Sequence, residues 1–157
     1  MMATLQSMLR GGLLATAVLT AACRHVQLVA DYDAASVEET IRVGKRIDVF
    51  YGKMVELDTA ARVYAPFADQ YIEIEADVRA LVRRNTARPL NSESTQIART
   101  ILSFWTQYHD KHKTKDRYPD ARFDRRRFER LFDAALSAEV AKRLGAEDRA
   151  PPAQPDR

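Results

Sequence analysis

Apolar residues recur along most of this chain at steps of three and four, the spacing that lines one face of an α-helix. Val37, Ile41, Ile47, Phe50, Tyr51, Met54 and Leu57 form the first such stripe. It predicts a long helix opening near Ala34, with Asp33 or Ser36 as its N-cap. Gly44 interrupts the stripe, and marks either a close helix crossing or a tolerated cost of up to about 1 kcal/mol against Ala. The clearest period follows Pro66, where Phe67, Tyr71, Ile74, Val78 and Leu81 repeat at four, three, four, three. That is a coiled-coil-like seam. A proline suits the first turn of a helix, since the N–H it lacks would be unpaired there, so the first helix is expected to stop between Arg62 and Ala65.

Asn85 to Asn91 contains Pro89 and two Asn and reads as a loop. Asn91 or Ser92 then caps a third helix running to about Lys111, with Ile97, Ile101, Phe104 and Tyr108 inward and Leu102 and Trp105 widening the stripe. Tyr118-Pro119 breaks the pattern. A fourth helix resumes near Ala121, with Phe128, Leu131, Phe132, Ala135, Leu136 and Val140 inward and Gly145 as its terminator. No run alternates with the two-residue period of a strand. The expected fold is all-α, a small antiparallel bundle of three to four helices over residues 34–145, followed by a disordered tail over 146–157 that is rich in Pro and charge.

The first 22 residues differ from the rest. Arg10 is their only charge, Gly11 to Ala22 are rich in Leu, Ala and Val, and the run ends in Leu19-Thr20-Ala21-Ala22-Cys23. Basic start, apolar middle and small residues before a cut site are the layout of an export signal. The segment resembles the lipobox of bacterial lipoproteins, although Thr20 stands where that motif usually has Leu, Val or Ile. The resemblance implies that residues 1–22 are a signal peptide, that Cys23 is the lipid-attachment residue, and that 23–33 tether the bundle to a membrane. Three acyl chains, at about 0.8 kcal/mol per buried methylene, would hold it firmly. Arg24, where an Asp would imply retention at the inner membrane, implies the outer membrane, facing the periplasm. Competing readings are plain secretion to the periplasm after a cut at Ala22, a cytosolic protein with an apolar start, and an uncleaved anchor, for which the apolar run falls short of the roughly 20 residues a spanning helix needs.

Removal of the leader would leave 135 residues, enough for one domain with a real core. Their 24 Lys and Arg against 22 Asp and Glu make them nearly neutral. Cys23 is the only cysteine, so no intrachain disulfide is available and the fold must rest on packing.

Candidate chemistry is sparse. His109 and His112 lie three apart near a helix end, and would hold a metal only with a third ligand such as Asp110 or Asp116. The spacing differs from that of zinc hydrolases. Otherwise they lie on a solvated face and complement the helix dipole. Lys111, Lys113, Lys115, Arg117, Arg122, Arg125, Arg126, Arg127 and Arg130 make 111–130 the most basic stretch, which Asp116, Asp120, Asp124 and Glu129 reduce to about +5. It is a candidate contact for anionic head groups or an acidic partner. Because opposite charges interleave throughout, the stretch reads first as a solvated face laced by pairs such as Asp120 with Arg125, or Glu129 with Arg125 and Arg126. Ser92, Ser94 and Ser103 lie in no nucleophile elbow. Glu73, Glu75 and Asp77 alternate along a helix as surface residues do. No nucleic-acid motif, phosphate loop or cofactor signature is present.

Cys23, Tyr32-Asp33, Phe67 through Leu81, Asn91 and Thr95, His109 or His112, and Glu139-Val140-Ala141-Lys142 together resemble small helical lipoproteins of Gram-negative bacteria. The resemblance implies a non-enzymatic, membrane-anchored binding, scaffolding or accessory module of the cell envelope. Its partners would be membrane lipid through Cys23 and a protein of the envelope, with no nucleic acid and no cofactor. A metal-binding protein or metal-dependent hydrolase using His109 and His112, and a lysis or immunity type lipoprotein, are the alternatives.

Overall fold

A computed structural model describes residues 27–148; Cys23, the leader and residues 149–157 lie outside the described residues. Four long helices, α1 (Ala34–Val55), α2 (Ala68–Ala87), α3 (Ser92–Lys115) and α4 (Ala121–Glu147), form an antiparallel bundle, and no strand occurs among the described residues. Each helix packs on its two neighbours, α1 on α2 and α4, and α3 on α2 and α4. That is the arrangement short connections impose on an up-down-up-down chain.

One sequence rule builds all four helices. Ser36, Thr40, Val43, Ile47, Phe50 and Met54 in α1 are buried, as are Tyr71, Ile74, Val78, Leu81 and Asn85 in α2 and Ser94, Ala98, Ile101, Trp105, Tyr108 and His112 in α3. Each set steps by four and three. In α4 the buried residues include Phe128, Phe132, Glu139 and Lys142. The bundle's middle is apolar and aromatic. The Phe50 ring lies 4.7–5.5 Å from those of Tyr51, Phe67, Tyr71 and Trp105, in edge-to-face contacts.

Several expectations change. α1 ends at Val55 rather than between Arg62 and Ala65. The Arg62 side chain folds back to donate to the Val55 and Leu57 carbonyls, which satisfies the helix end. Short 3₁₀ turns at Thr59–Ala61 and Ala65–Phe67 then lead into α2, with Pro66 in the second. α2 runs on to Ala87, because Asn85 turns its amide to the Leu81 carbonyl instead of opening a loop. α3 runs to Lys115, not Lys111, and closes with Asp116 in the left-handed region at φ 49°. α4 passes through Gly145 and takes in Ala146 and Glu147 of the expected tail. Asp33 is the N-cap of α1, accepting from the Ala35 N–H at 3.2 Å. At Gly44, an added Cβ would stand 3.1 Å from the Phe132 ring, so this glycine marks a close crossing of α1 and α4.

Candidate functional site

The two ends of the bundle hold most of its polar chemistry, and the first is charged. α1 and α3 begin there, α2 and α4 end there. Glu139 and Lys142, one turn apart on α4, form an ion pair with both side chains only 4% exposed. The Lys142 ammonium also donates to Asn91 Oδ1 and to Ser94 Oγ, the latter at 2.7 Å. Glu139 accepts from Arg88 at 3.0 Å, from Ser94 Oγ at 3.3 Å and from the backbone N–H of Asp33 at 3.4 Å. Burial alone would push the Glu139 carboxyl up, but donation from Lys142 and Arg88 holds it below the ordinary glutamate value.

The same network grips the chain that enters the bundle. The Ala30 N–H donates to the Leu90 carbonyl at 3.0 Å, Arg88 donates to the Asp31 carbonyl, and Arg84 pairs with Asp33 at 3.0 Å. Asp33 is held below its ordinary value, first by the Ser36 hydroxyl and then by Arg84. Residues 30–33, the end of the expected tether, are therefore part of the folded body.

The opposite end is aromatic and mostly neutral. His112 is fully buried. Its Nε2 must donate, because the partner at 3.0 Å is the Arg62 carbonyl; Nδ1 then accepts from the Tyr71 hydroxyl at 3.1 Å. Burial pushes its pKa below the usual histidine value. His109 stacks on Tyr71 at 4.4 Å between ring centres, and its Nε2 meets the Tyr64 hydroxyl at 2.9 Å. The expected solvated face is thus corrected for both histidines, and with both ring nitrogens of His112 engaged, the pair is not arranged to share an ion. Among the described residues, no group of three or more His, Cys, Asp or Glu gathers as metal ligands do.

Beside His112, Tyr118 donates to Asp124 at 2.7 Å and accepts from Tyr51 at 3.3 Å. Burial pushes Asp124 above the usual carboxylate range, and hydrogen bonds from Tyr118 and Tyr108 offset part of that. Desolvation likewise raises the phenols of Tyr51, Tyr71 and Tyr118 far out of the physiological range. A proton relay needs a group that titrates near its working pH and a reachable substrate position; these buried hydroxyls offer neither.

The basic stretch divides into tied and free cations. Lys111 pairs with Asp120 at 2.6 Å, and Arg125 with Asp48 at 2.7 Å and Glu129 at 3.6 Å. Asp120 therefore serves Lys111, not Arg125, and Asp124 is buried rather than part of a solvated face. Arg127 lies 5.0 Å over both the Phe104 and Phe123 rings and donates to Tyr108. Lys113, Lys115, Arg122, Arg126 and Arg130 remain exposed. Arg122, Arg126 and Arg130 step by four along one outer face of α4. Glu73 and Asp77 both hold Arg46, joining α2 to α1, while Glu75 binds Arg79.

Sequence reasoning missed the Glu139–Lys142 network and the Tyr118–Asp124 contact. A signal for the first was present, since 128, 132, 135, 139 and 142 continue the four-three seam straight through both charged residues. Val140, expected inward, is exposed because Glu139 holds the inward position.

A four-helix antiparallel bundle with a buried ion-pair layer at one end of its seam and an aromatic hydrogen-bonded layer at the other is the class these features define. No known family, curated protein or solved structure matches the chain.

Proposed function

We propose that this protein is a lipoprotein of the Gram-negative envelope, acylated at Cys23, whose helical bundle faces the periplasm as a non-enzymatic binding, scaffolding or accessory module. The observation that carries the reading is the apolar leader closing on Leu19-Thr20-Ala21-Ala22-Cys23. The bundle is compatible with it. Its chemically versatile side chains, His112, Asp124, Glu139 and Lys142, are committed to internal partners. No helix among the described residues is long and apolar enough to cross a membrane.

The contact surface within this reading is the exposed set Lys113, Lys115, Arg122, Arg126 and Arg130, which suits an acidic protein partner. Processing tests the anchor: the native protein pellets with membranes as a chain cut before Cys23, whereas Cys23→Ser, without a thiol to acylate, keeps its leader. A Cys23→Ser chain cut after Ala22 and released like the native one contradicts it. For the surface, charge reversal of Arg122, Arg126 and Arg130 is expected to remove envelope cross-links; an unchanged cross-link pattern rejects that assignment.

A further inference from the structure

We propose that the end of the bundle carrying the Glu139–Lys142 network is a lipid-docking surface, which seats the domain on the bilayer that holds its acyl group and turns the basic end away from it. This rests on acylation at Cys23.

Leu28, Val29, Leu90, Val140 and Leu144 are all 44–76% exposed and belong to this end. The hydrogen bond from Ala30 to Leu90 places residues 28 and 29 beside the α2–α3 connection, and the Lys142–Asn91 bond brings the last turns of α4 to the same place. Most of these side chains belong to segments that the network fixes. Leu90 itself stands at φ 58°, a strained position for a branched residue, with its side chain half exposed. At the far end the exposed Phe123 ring is covered on one face by Arg127.

What names the occupant is the point where the chain leaves the body. The seven residues from Cys23 to Val29 can span at most about 25 Å when fully extended. An acyl group on Cys23 therefore keeps these apolar side chains within reach of the head-group region, where amphipathic surfaces gain by burying apolar area. The basic end lies a helix length away, about 40 Å for the 27 residues of α4. Seating by the network end leaves Lys113, Lys115 and Arg122 facing the periplasm rather than the head groups of their own leaflet.

The test uses the acylated protein in vesicles of phosphatidylethanolamine and phosphatidylglycerol containing a lipid with a nitroxide head group. Single fluorophores are attached at Leu28→Cys, Val140→Cys, Asp58→Cys or Arg117→Cys, since Cys23 is consumed by acylation. Quenching several-fold stronger at 28 and 140 than at 58 and 117 is the expected result. Equal quenching at 140, 58 and 117, as for a body tumbling on its leash with only position 28 held near the bilayer, overturns the proposal. So does strongest quenching at 117, which would put the basic stretch on the head groups. The double variant Leu90→Ser/Leu144→Ser alters only exposed positions, leaves position 140 for the fluorophore, and should reduce the contrast several-fold while the chain stays acylated; an unchanged contrast also overturns it. Intact mass before reconstitution separates the two failures, because a chain without acyl groups removes the lipoprotein reading itself.

Discussion

At the network end of the bundle, the seam positions of the four helices carry Ser36, Asn85, Ser94 and Glu139, with Lys142 and Arg88 supplying positive charge. At the opposite end the interior carries Tyr71, His112 and Tyr118, joined by hydrogen bonds around a single buried acid, Asp124. Both ends are buried and polar, and among the described residues no buried side-chain nitrogen or oxygen lacks a partner. They differ in what a mistake would cost. A misaligned helix at the network end strands one or more of three charges, Arg88, Glu139 and Lys142, in a low-dielectric interior, whereas at the aromatic end it strands hydroxyls and an imidazole around one acid, Asp124. The charged layer is thus the stronger constraint on which way each helix points and how far it slides, as a polar residue in a coiled-coil seam is.

Breaking one partner of the charged layer should give the largest effect. Lys142→Met leaves Glu139, Asn91 and Ser94 without their shared donor and is expected to cost about 3–5 kcal/mol in urea unfolding. Glu139→Leu combined with Lys142→Met removes the two most buried charges, leaves the more exposed Arg88 with the Asp31 carbonyl, and should recover much of that loss. A double variant as unstable as the single one would show that the layer contributes net stability and not merely specificity.

A smaller effect is expected at the aromatic end. His112→Phe keeps the volume but strands the Arg62 carbonyl and the Tyr71 hydroxyl, for about 1–3 kcal/mol. If it costs as much as Lys142→Met, the contrast between the ends fails.

Acid should act on the two ends in different windows. The folded pKa of His112 is depressed, so the stability linked to it is present above the ordinary value of 6.5 and is lost as pH falls below it. Glu139 is also depressed, and its contribution is lost only below the ordinary 4.5. Asp124 has the opposite sign: its folded pKa is raised, so its contribution is present below 3.8 and is lost as pH rises through the folded value. Stability should therefore begin to fall between pH 7 and 5 through His112, and His112→Phe should flatten that slope. Unfolding curves at stepped pH check both.

The smallest change is expected on the outer face of α4, where Arg126→Ala should stay within about 0.5 kcal/mol of the native protein. Arg125→Ala breaks a partly exposed pair with Asp48 and should cost no more than about 1 kcal/mol.

The four-helix plan was legible because Phe67 to Leu81 and Phe128 to Phe132 keep their period in apolar residues alone. What escaped was the continuation of the same period through polar ones. In α1 the exposed Ile41 and Leu57 carry as strong an apolar signal as the buried Val43, and the buried Thr40 carries none; in α4 the exposed Val140 likewise outweighs its buried neighbour Glu139. Only the meeting of Glu139 with Lys142, Arg88 and Ser94 makes its burial tolerable, and two of those three partners, Arg88 and Ser94, come from a distant part of the chain. The free and tied cations of 111–130 were inseparable for a related reason. Arg127 stacks on Phe104 from another helix, and Arg125 reaches Asp48, 77 positions away.

Intact mass spectrometry of the protein taken from bacterial membranes, beside Cys23→Ser, tests the central claim most directly. The account predicts a chain beginning at Cys23 and carrying a diacylglyceryl group and an amide-linked acyl chain, with all three acyl chains lost in the variant. An unmodified chain beginning at Met1 in the soluble fraction would contradict it.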